Sequence, residues 1–257
     1  MLRDTFDEVA ELYDRVRPRY PPSLVEELAR AAGLGPGSRV LEIGPGTGQL
    51  TVPLAGFGCE VTAVELGPAL AAVARRRLRE FPSARVVVAD FEQWEPPREA
   101  FDLVVSATAF HWLDPALRVP RVADALRPGG LFALVTTHHV AGGTVDFFAR
   151  AQRCYERWDP DTPPDWRLRD AAETATDTGE LERESRLSDI TVHCHTQDLA
   201  YSADGYLDVL LTYSNHRALD ATARRNLLTC IRQLIESDYD GSVTKRYLHE
   251  LITATRV

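Results

Sequence analysis

The chain has 257 residues and a formal net charge of −9. That is long enough to bury a substantial core without staples, as one generous domain or a core with insertions. The acidic balance argues against a nucleic-acid partner, because phosphate binding needs a basic surface. The opening Met1-Leu2-Arg3-Asp4 run is too charged for a signal peptide, and no apolar run is long enough to span a bilayer. The expectation is a soluble, cytoplasmic protein without membrane contact, monomeric or homodimeric. Cys59, Cys154, Cys194 and Cys230 are widely spaced with no Cys-x-x-Cys pair. They read as reduced, mostly buried thiols, neither zinc ligands nor disulfides, with no metal site. Lys245 is the only lysine among 29 basic residues, a skew that fits a GC-rich coding sequence.

In chain order, Phe6, Val9, Ala10, Tyr13 and Val16 recur at helical spacing and predict an amphipathic helix. Pro18, Pro21 and Pro22 break it, and a second helix is expected over 23–32. Apolar runs then alternate with helical patterns, which predicts a mostly parallel sheet covered on both faces. Strands are expected at 39–43, 60–65, 85–89, 101–106 and 130–136, with helices near 48–57, 68–80 and 115–127. Pro68 suits a first helical turn and Pro82 ends that helix. Asp114-Pro115 reads as N-cap and N1, and Arg127-Pro128-Gly129-Gly130 as a helix stop. Pro53 falls a turn into its helix and should cost a backbone hydrogen bond or a kink. Beyond the fifth strand, 144–157 looks helical and 158–180 is Pro- and Asp-rich without periodicity. A strand is expected at about 189–196, helices near 203–213 and 220–237, and a last strand at 246–255. The spans drawn from this pattern are 1–37 as an N-terminal helical cover, 38–140 as an α/β core, and 141–257 as helical insertions with the last two strands. Together they make one structural domain.

The sharpest motif is Val40-Leu41-Glu42-Ile43-Gly44-Pro45-Gly46-Thr47-Gly48, a buried strand running into a glycine turn and then a helix. Such a turn lets backbone approach a ligand without Cβ interference and aims helix-start N–H groups at it. Glu65 closes the second strand 21 residues after Gly44, where an acid can accept from both hydroxyls of a ribose. The dinucleotide fingerprint Gly-x-Gly-x-x-Gly is not met: the third glycine is Gly48, and Gln49 stands where that pattern wants glycine. Glu42 adds a negative charge that suits a cationic amine and disfavours a pyrophosphate.

These residues resemble the first motif, Glu-x-Gly-x-Gly-x-Gly, of the S-adenosylmethionine-dependent methyltransferases with a doubly wound seven-stranded sheet. The resemblance implies a Rossmann-like α/β fold, a last strand antiparallel beside the fifth, S-adenosylmethionine as methyl donor and S-adenosylhomocysteine as product. It implies a cofactor site made by Tyr13, Glu42, Gly44, Gly46, Thr47, Gly48, Glu65, Leu66, Asp90, Phe91 and Ala107. Within it Asp90 would accept from the adenine amino group, unless it only caps a turn, and Phe91 would pack on the ring. After the fourth strand, Asn/Asp-Pro-Pro-Tyr/Phe is missing, which counts against base or glutamine amides as acceptors. Ala109-Phe110-His111-Trp112 and the opening Phe6-Asp7…Tyr13-Asp14…Arg17-Pro18…Tyr20-Pro21 instead resemble small-molecule enzymes related to trans-aconitate methyltransferase. His111 is the candidate general base, with a loop-packing role as the alternative; a carboxylate acceptor would need no base. His138, His139, Tyr213, His216 and Arg217 are further polar candidates. Trp94, Trp112, Trp158 and Trp166 read as core or rim aromatics. Residues 5–22 are expected to form a lid, with Tyr13 at the methionine end of the cofactor. The function expected is methyl transfer to a small molecule. A nicotinamide-dependent oxidoreductase and a non-catalytic regulatory module remain the alternatives.

Overall fold

The structure is a computed structural model that describes residues 2–174 and 176–257. The buried runs form seven strands: β1 (Arg39–Ile43), β2 (Glu60–Glu65), β3 (Ala84–Val88), β4 (Phe101–Ala107), β5 (Leu126–Val140), β6 (Leu187–Ser202) and β7 (Ser242–Arg256). They make one sheet in the order β3-β2-β1-β4-β5-β7-β6. The first five are parallel, with Val40 beside Val61 on one side and Leu103 on the other. Strand β7 runs antiparallel to β5: Thr136 Oγ1 donates to Glu250 Oε2 (2.8 Å), and one residue on, Thr137 meets one residue back, His249 (2.9 Å). The expected neighbourhood of the last strand is therefore present.

The chain divides into two compact units. One comprises Pro18–Thr137, Thr176–His195 and His249–Val257; the other comprises Met1–Arg17, His138–Ala175 and Thr196–Leu248. These units cut across the three spans drawn from the sequence. Helix α2 (Pro22–Ala31), placed there with the N-terminal cover, packs in the first unit: Leu24, Val25 and Leu28 are buried with Leu50, Leu54 and Val61. On the opposite sheet face Leu41, Ile43, Val104 and Phe132 bury against Val119 and Val122 of α5 (Arg118–Ala125).

Several boundaries differ for local reasons. Helix α3 (Thr51–Ala55) begins only after the glycine turn has closed, so Pro53 lies in its first turn, where no intrahelical N–H is needed. No kink results. Helix α4 (Pro68–Arg77) starts at Pro68 as expected. Asp114 caps a turn rather than a helix, accepting from Ala116 N–H at 2.8 Å, and α5 starts at Arg118. The Arg127–Gly130 segment does not precede β5 but interrupts it: Phe101 faces Leu126, whereas Leu103 faces Leu131. Strand β5 also continues to Val140, so His138 and His139 lie within it rather than after it.

In the second unit, α1 (Ala10–Val16) follows a 3₁₀ stretch over Leu2–Val9. Phe147, Phe148 and Ala151 of α6 (Val145–Trp158) pack with Leu207 and Leu210 of α8 (Ala203–Leu210) and with Leu227, Ile231 and Ile235 of α10 (Ala221–Asp238). Asp220 caps α10 by accepting from the Thr222 and Ala223 N–H groups. Cys154 and Cys230 are joined by a disulfide between α6 and α10. This corrects the expectation of four reduced thiols: helix packing brings together two residues 76 apart. Cys59 and Cys194 are free. Among the described residues no helix is long and apolar enough to cross a membrane, and no His/Cys/Asp/Glu group has the arrangement of a metal site.

Candidate cofactor site

Strand β1 is held parallel between β2 and β4, and Gly44 N–H extends the ladder by donating to Val64 O (2.9 Å). The chain then leaves the sheet. Gly44 has φ +68°, and a Cβ there would lie 2.4 Å from the Ala109 methyl carbon. Both backbone conformation and space therefore exclude a side chain. Gly48 N–H donates to Pro45 O (2.9 Å) and closes the turn. Thr47 is fully buried; its hydroxyl accepts from Gln49 Nε2 (2.7 Å) and its carbonyl from Arg77 Nη1 (3.2 Å). Gln49 is thus a clasp on the turn.

Two acids meet at this turn. Glu65 Oε2 accepts from Gly46 N–H and Oε1 from Gly67 N–H, each at 2.9 Å. A carboxylate has about four acceptor sites, a chemistry that suits hydroxyl groups as well as N–H donors. Leu66 beside it is partly exposed, an apolar surface next to a polar anchor. Glu42 is buried to 1% exposure. Burial lifts its carboxyl to about 7, and the nearby Glu65 charge adds to the shift. The Thr51 hydroxyl tempers that shift without forming a well-aligned hydrogen bond, and Glu42 Oε2 has no partner. A buried acid atom left this way fits a ligand that brings a donor or a positive charge.

The remaining expected residues separate. After β3, Asp90 Oδ1 accepts from Glu92 N–H (3.0 Å) and its carbonyl from Trp94 N–H (2.8 Å), so Asp90 does shape a turn. Phe91 is 4% exposed, packed in the core beneath the Arg121 guanidinium. Its ring is committed there, against the expectation that it lies on an adenine. Ala107 ends β4, and Thr108 beyond it takes φ +55°. Thr108 N–H donates to Val135 O (2.8 Å), and its hydroxyl meets Tyr20 OH at 3.1 Å. Tyr20 therefore braces the loop that carries Ala109 and His111, a pairing with no local sequence signal.

His111 lies in a 3₁₀ turn over Phe110–Trp112, exposed, with its ring 4.8 Å from that of Trp112. It makes no hydrogen bond to a described residue. Partial desolvation, then the Arg118 charge, lowers its pKa, which keeps the imidazole neutral near pH 7. Arg118 is fixed by Glu180 and by the Phe110 carbonyl.

Tyr13 belongs to the second unit, where Arg17 lies over its ring at 4.9 Å and Phe6 meets it edge-on. So do His138, His139, Tyr213, His216 and Arg217. His216 is a packed residue: Tyr155 OH and Asn215 Oδ1 each lie 3.0 Å from its ring nitrogens, and burial presses its pKa to about 4. Arg217 pairs with Glu8. Trp94 packs against the core of its unit, whereas Trp166 is exposed.

Comparison with known proteins bears on this geometry. Residues 40–130 match the model of a methyltransferase domain. An uncharacterized methyltransferase of Mycobacterium tuberculosis is 38% identical over 131 residues, covering 51% of each chain. The trans-aconitate 2-methyltransferase of Variovorax paradoxus is 33% identical over 124 residues, covering 47% of this chain and 44% of the relative. The chain spans about half the length of the curated relatives it matches. Among solved structures, a putative type II methyltransferase from Anaeromyxobacter dehalogenans superposes with a TM-score of 0.65 at 24% identity, covering 93% of this chain and 97% of the other. A methyltransferase from Geobacter sulfurreducens, solved with S-adenosylhomocysteine, gives 0.54 at 19% identity, covering 96% and 97%. Residues 40–130 thus have the sequence of a methyltransferase domain, and the seven-stranded sheet around them is the fold of S-adenosylmethionine-dependent methyltransferases.

Proposed function

We propose that this protein transfers a methyl group from S-adenosylmethionine to a small-molecule acceptor. The observation that carries the proposal is the pairing of Glu65, tied to the glycine turn through Gly46 N–H, with Glu42, buried beside it with an oxygen unpartnered. In this reading Gly44, Gly46, Thr47 and Gly48 present backbone to the cofactor, Glu65 accepts from its ribose hydroxyls, and Leu66 covers the adenine. Glu42 faces the cationic methionine end, and Asp90 and Ala107 border the site. When bound, the cofactor supplies a methyl group made electrophilic by a sulfonium. The chain's own residues then have to position the acceptor and take any proton that it loses. Positioning accounts for up to roughly 7–11 kcal/mol in ideal cases. A neutral, solvent-reaching His111 can accept a hydroxyl or amine proton.

The Geobacter neighbour's bound S-adenosylhomocysteine supports the choice of cofactor. The net charge of −9 supports a small acceptor over a nucleic acid. A nicotinamide dinucleotide fits less well, because a pyrophosphate at this turn would face the acids Glu42 and Glu65. Titration calorimetry tests the assignment. The chain should bind S-adenosylhomocysteine and not NADH, and Glu65→Ala should weaken that binding by about 1–3 kcal/mol through loss of charge-assisted hydrogen bonds. Unchanged affinity in the variant refutes the site.

A further inference from the structure

Lys245 lies on β7 between Val243 and Tyr247, all three on one face by the two-residue period of a strand and all three buried. Lys245 is 4% exposed, beside the apolar cluster of α6, α8 and α10. Its single hydrogen-bond partner among the described residues is Tyr213 OH, at 2.9 Å. It also stands 5.0 Å and 4.8 Å from the ring centres of Tyr213 and Tyr247. No carboxylate of a described residue pairs with it. Four acids of this unit pair with arginines instead: Asp198 with Arg246, Asp208 with Arg15, Glu8 with Arg217 and Asp238 with Arg150. Burying an ammonium without a counter-ion costs several kcal/mol.

A second cation faces the same phenol. The Arg17 guanidinium lies 4.5 Å from the Tyr213 ring centre, and among the described residues it donates to the hydroxyl and carbonyl of Thr212. Tyr201 OH meets Tyr247 OH at 3.1 Å. His139 stacks edge-on to Phe148, near Tyr247, with a buried Nε2 that has no partner. Burial would push the Tyr213 phenol up, yet Lys245 and Arg17 outweigh it and bring it down to about 8. The local field is therefore strongly positive in a chain that is acidic as a whole.

We propose that Lys245, Arg17, Tyr213, Tyr201 and His139 form a binding site for the carboxylate of a small organic acid. The two cations neutralise the carboxylate, the phenols donate to its oxygens, and the aromatic rings receive its carbon body. Lysine supplies a compact point charge with three rotatable donors at this position. Lys245 is the one lysine in a chain of 28 arginines, and it occupies the buried, counter-ion-free position.

Because Lys245 is the sole lysine, ¹⁵N-lysine labelling gives one backbone amide signal that needs no assignment. Benzoate or citrate should move that signal to saturation, and benzamide or glycerol should leave it in place. Lys245→Met should weaken the carboxylate titration, followed by calorimetry, at least tenfold, while binding S-adenosylhomocysteine as the wild type does. Its melting temperature without ligand should equal or exceed that of the wild type, since a lone buried charge is gone. Should Lys245→Met not fold, Tyr213→Phe is measured the same way, with the same expected loss. A carboxylate affinity unchanged in the folded variant, no response to either acid, or tighter binding of inorganic phosphate than of both acids would overturn the site. Absence of S-adenosylhomocysteine binding in the wild type would instead overturn the methyltransferase reading. The carboxylate titration would then stand as the test of a ligand site alone.

Discussion

Replacing Glu42 by Gln should make the ligand-free protein more stable at neutral and alkaline pH, and only there. Glu42 is buried, and its carboxyl is raised from 4.5 to about 7, chiefly by that burial. In the unfolded chain it ionises near its ordinary value, so between pH 4.5 and pH 7 the native state holds a proton that the unfolded state has released. Stability therefore falls as pH rises through that window, and the loss is complete above about pH 7. At 1.36 kcal/mol per pH unit, the shift corresponds to a penalty of about 3 kcal/mol. Gln is neutral throughout and close to the protonated acid in shape. The difference between variant and wild type should thus be small near pH 5 and grow toward about 3 kcal/mol by pH 8. Urea unfolding at a series of pH values measures it, and contributions from all other groups cancel in the difference. The same residue predicts a proton signature for cofactor binding. A cationic amine near Glu42 favours its ionised form, so wild-type binding of S-adenosylhomocysteine at pH 6 should release a proton, detectable as a dependence of calorimetric heat on buffer. In Glu42→Gln that release should vanish and affinity should fall. A variant no more stable at pH 8 than at pH 5, or one with unchanged proton release, would refute the assignment.

Gly44→Ala should destabilise the fold by more than about 1 kcal/mol, because it combines a left-handed backbone with a methyl group 2.4 Å from Ala109 Cβ; thermal unfolding measures this, and an unchanged midpoint would refute the close approach. His111→Gln should lower kcat 10²–10⁴-fold for an acceptor that loses a proton. The rise of wild-type kcat/KM with pH should have its midpoint below pH 6.5, following the lowered imidazole pKa; a pH profile that survives in the variant removes His111 from the chemistry.

Much of this architecture was legible because the relevant signals are local. Strands β1 and β2 are buried runs bounded by turn residues, and their limits match the expected 39–43 and 60–65. Glu65 ends β2, as the apolar run before it implies. Signals failed where a neighbour distant in sequence decides the outcome. The start of α3 depends on where the glycine turn finishes, so Pro53 could be placed only once that turn was seen. Phe91 is buried with Leu41 and Val104, residues 50 and 13 positions away. The Cys154–Cys230 bond depends on how α6 meets α10. Tyr20 bracing Thr108 joins residues 88 apart.

Glu42 and Lys245 are buried where no local signal says so. Local rules put charged side chains in water; the glycine motif marked Glu42 as a partner for a cationic amine but not as a buried acid, and Lys245 stood out only by composition. Each is instead buried in its own unit with its charge unmatched by any described residue: an acid lifted to about 7 and an ammonium whose single hydrogen-bond partner is a phenol. A fold selected for stability alone would place apolar side chains at both positions, since well-packed replacements of buried charges are neutral or stabilising. Retaining them costs several kcal/mol, a large share of the 5–15 kcal/mol that holds a typical domain together. On the two readings proposed above, a cationic ligand at the glycine turn and an anionic ligand at the tyrosine cluster would offset that cost.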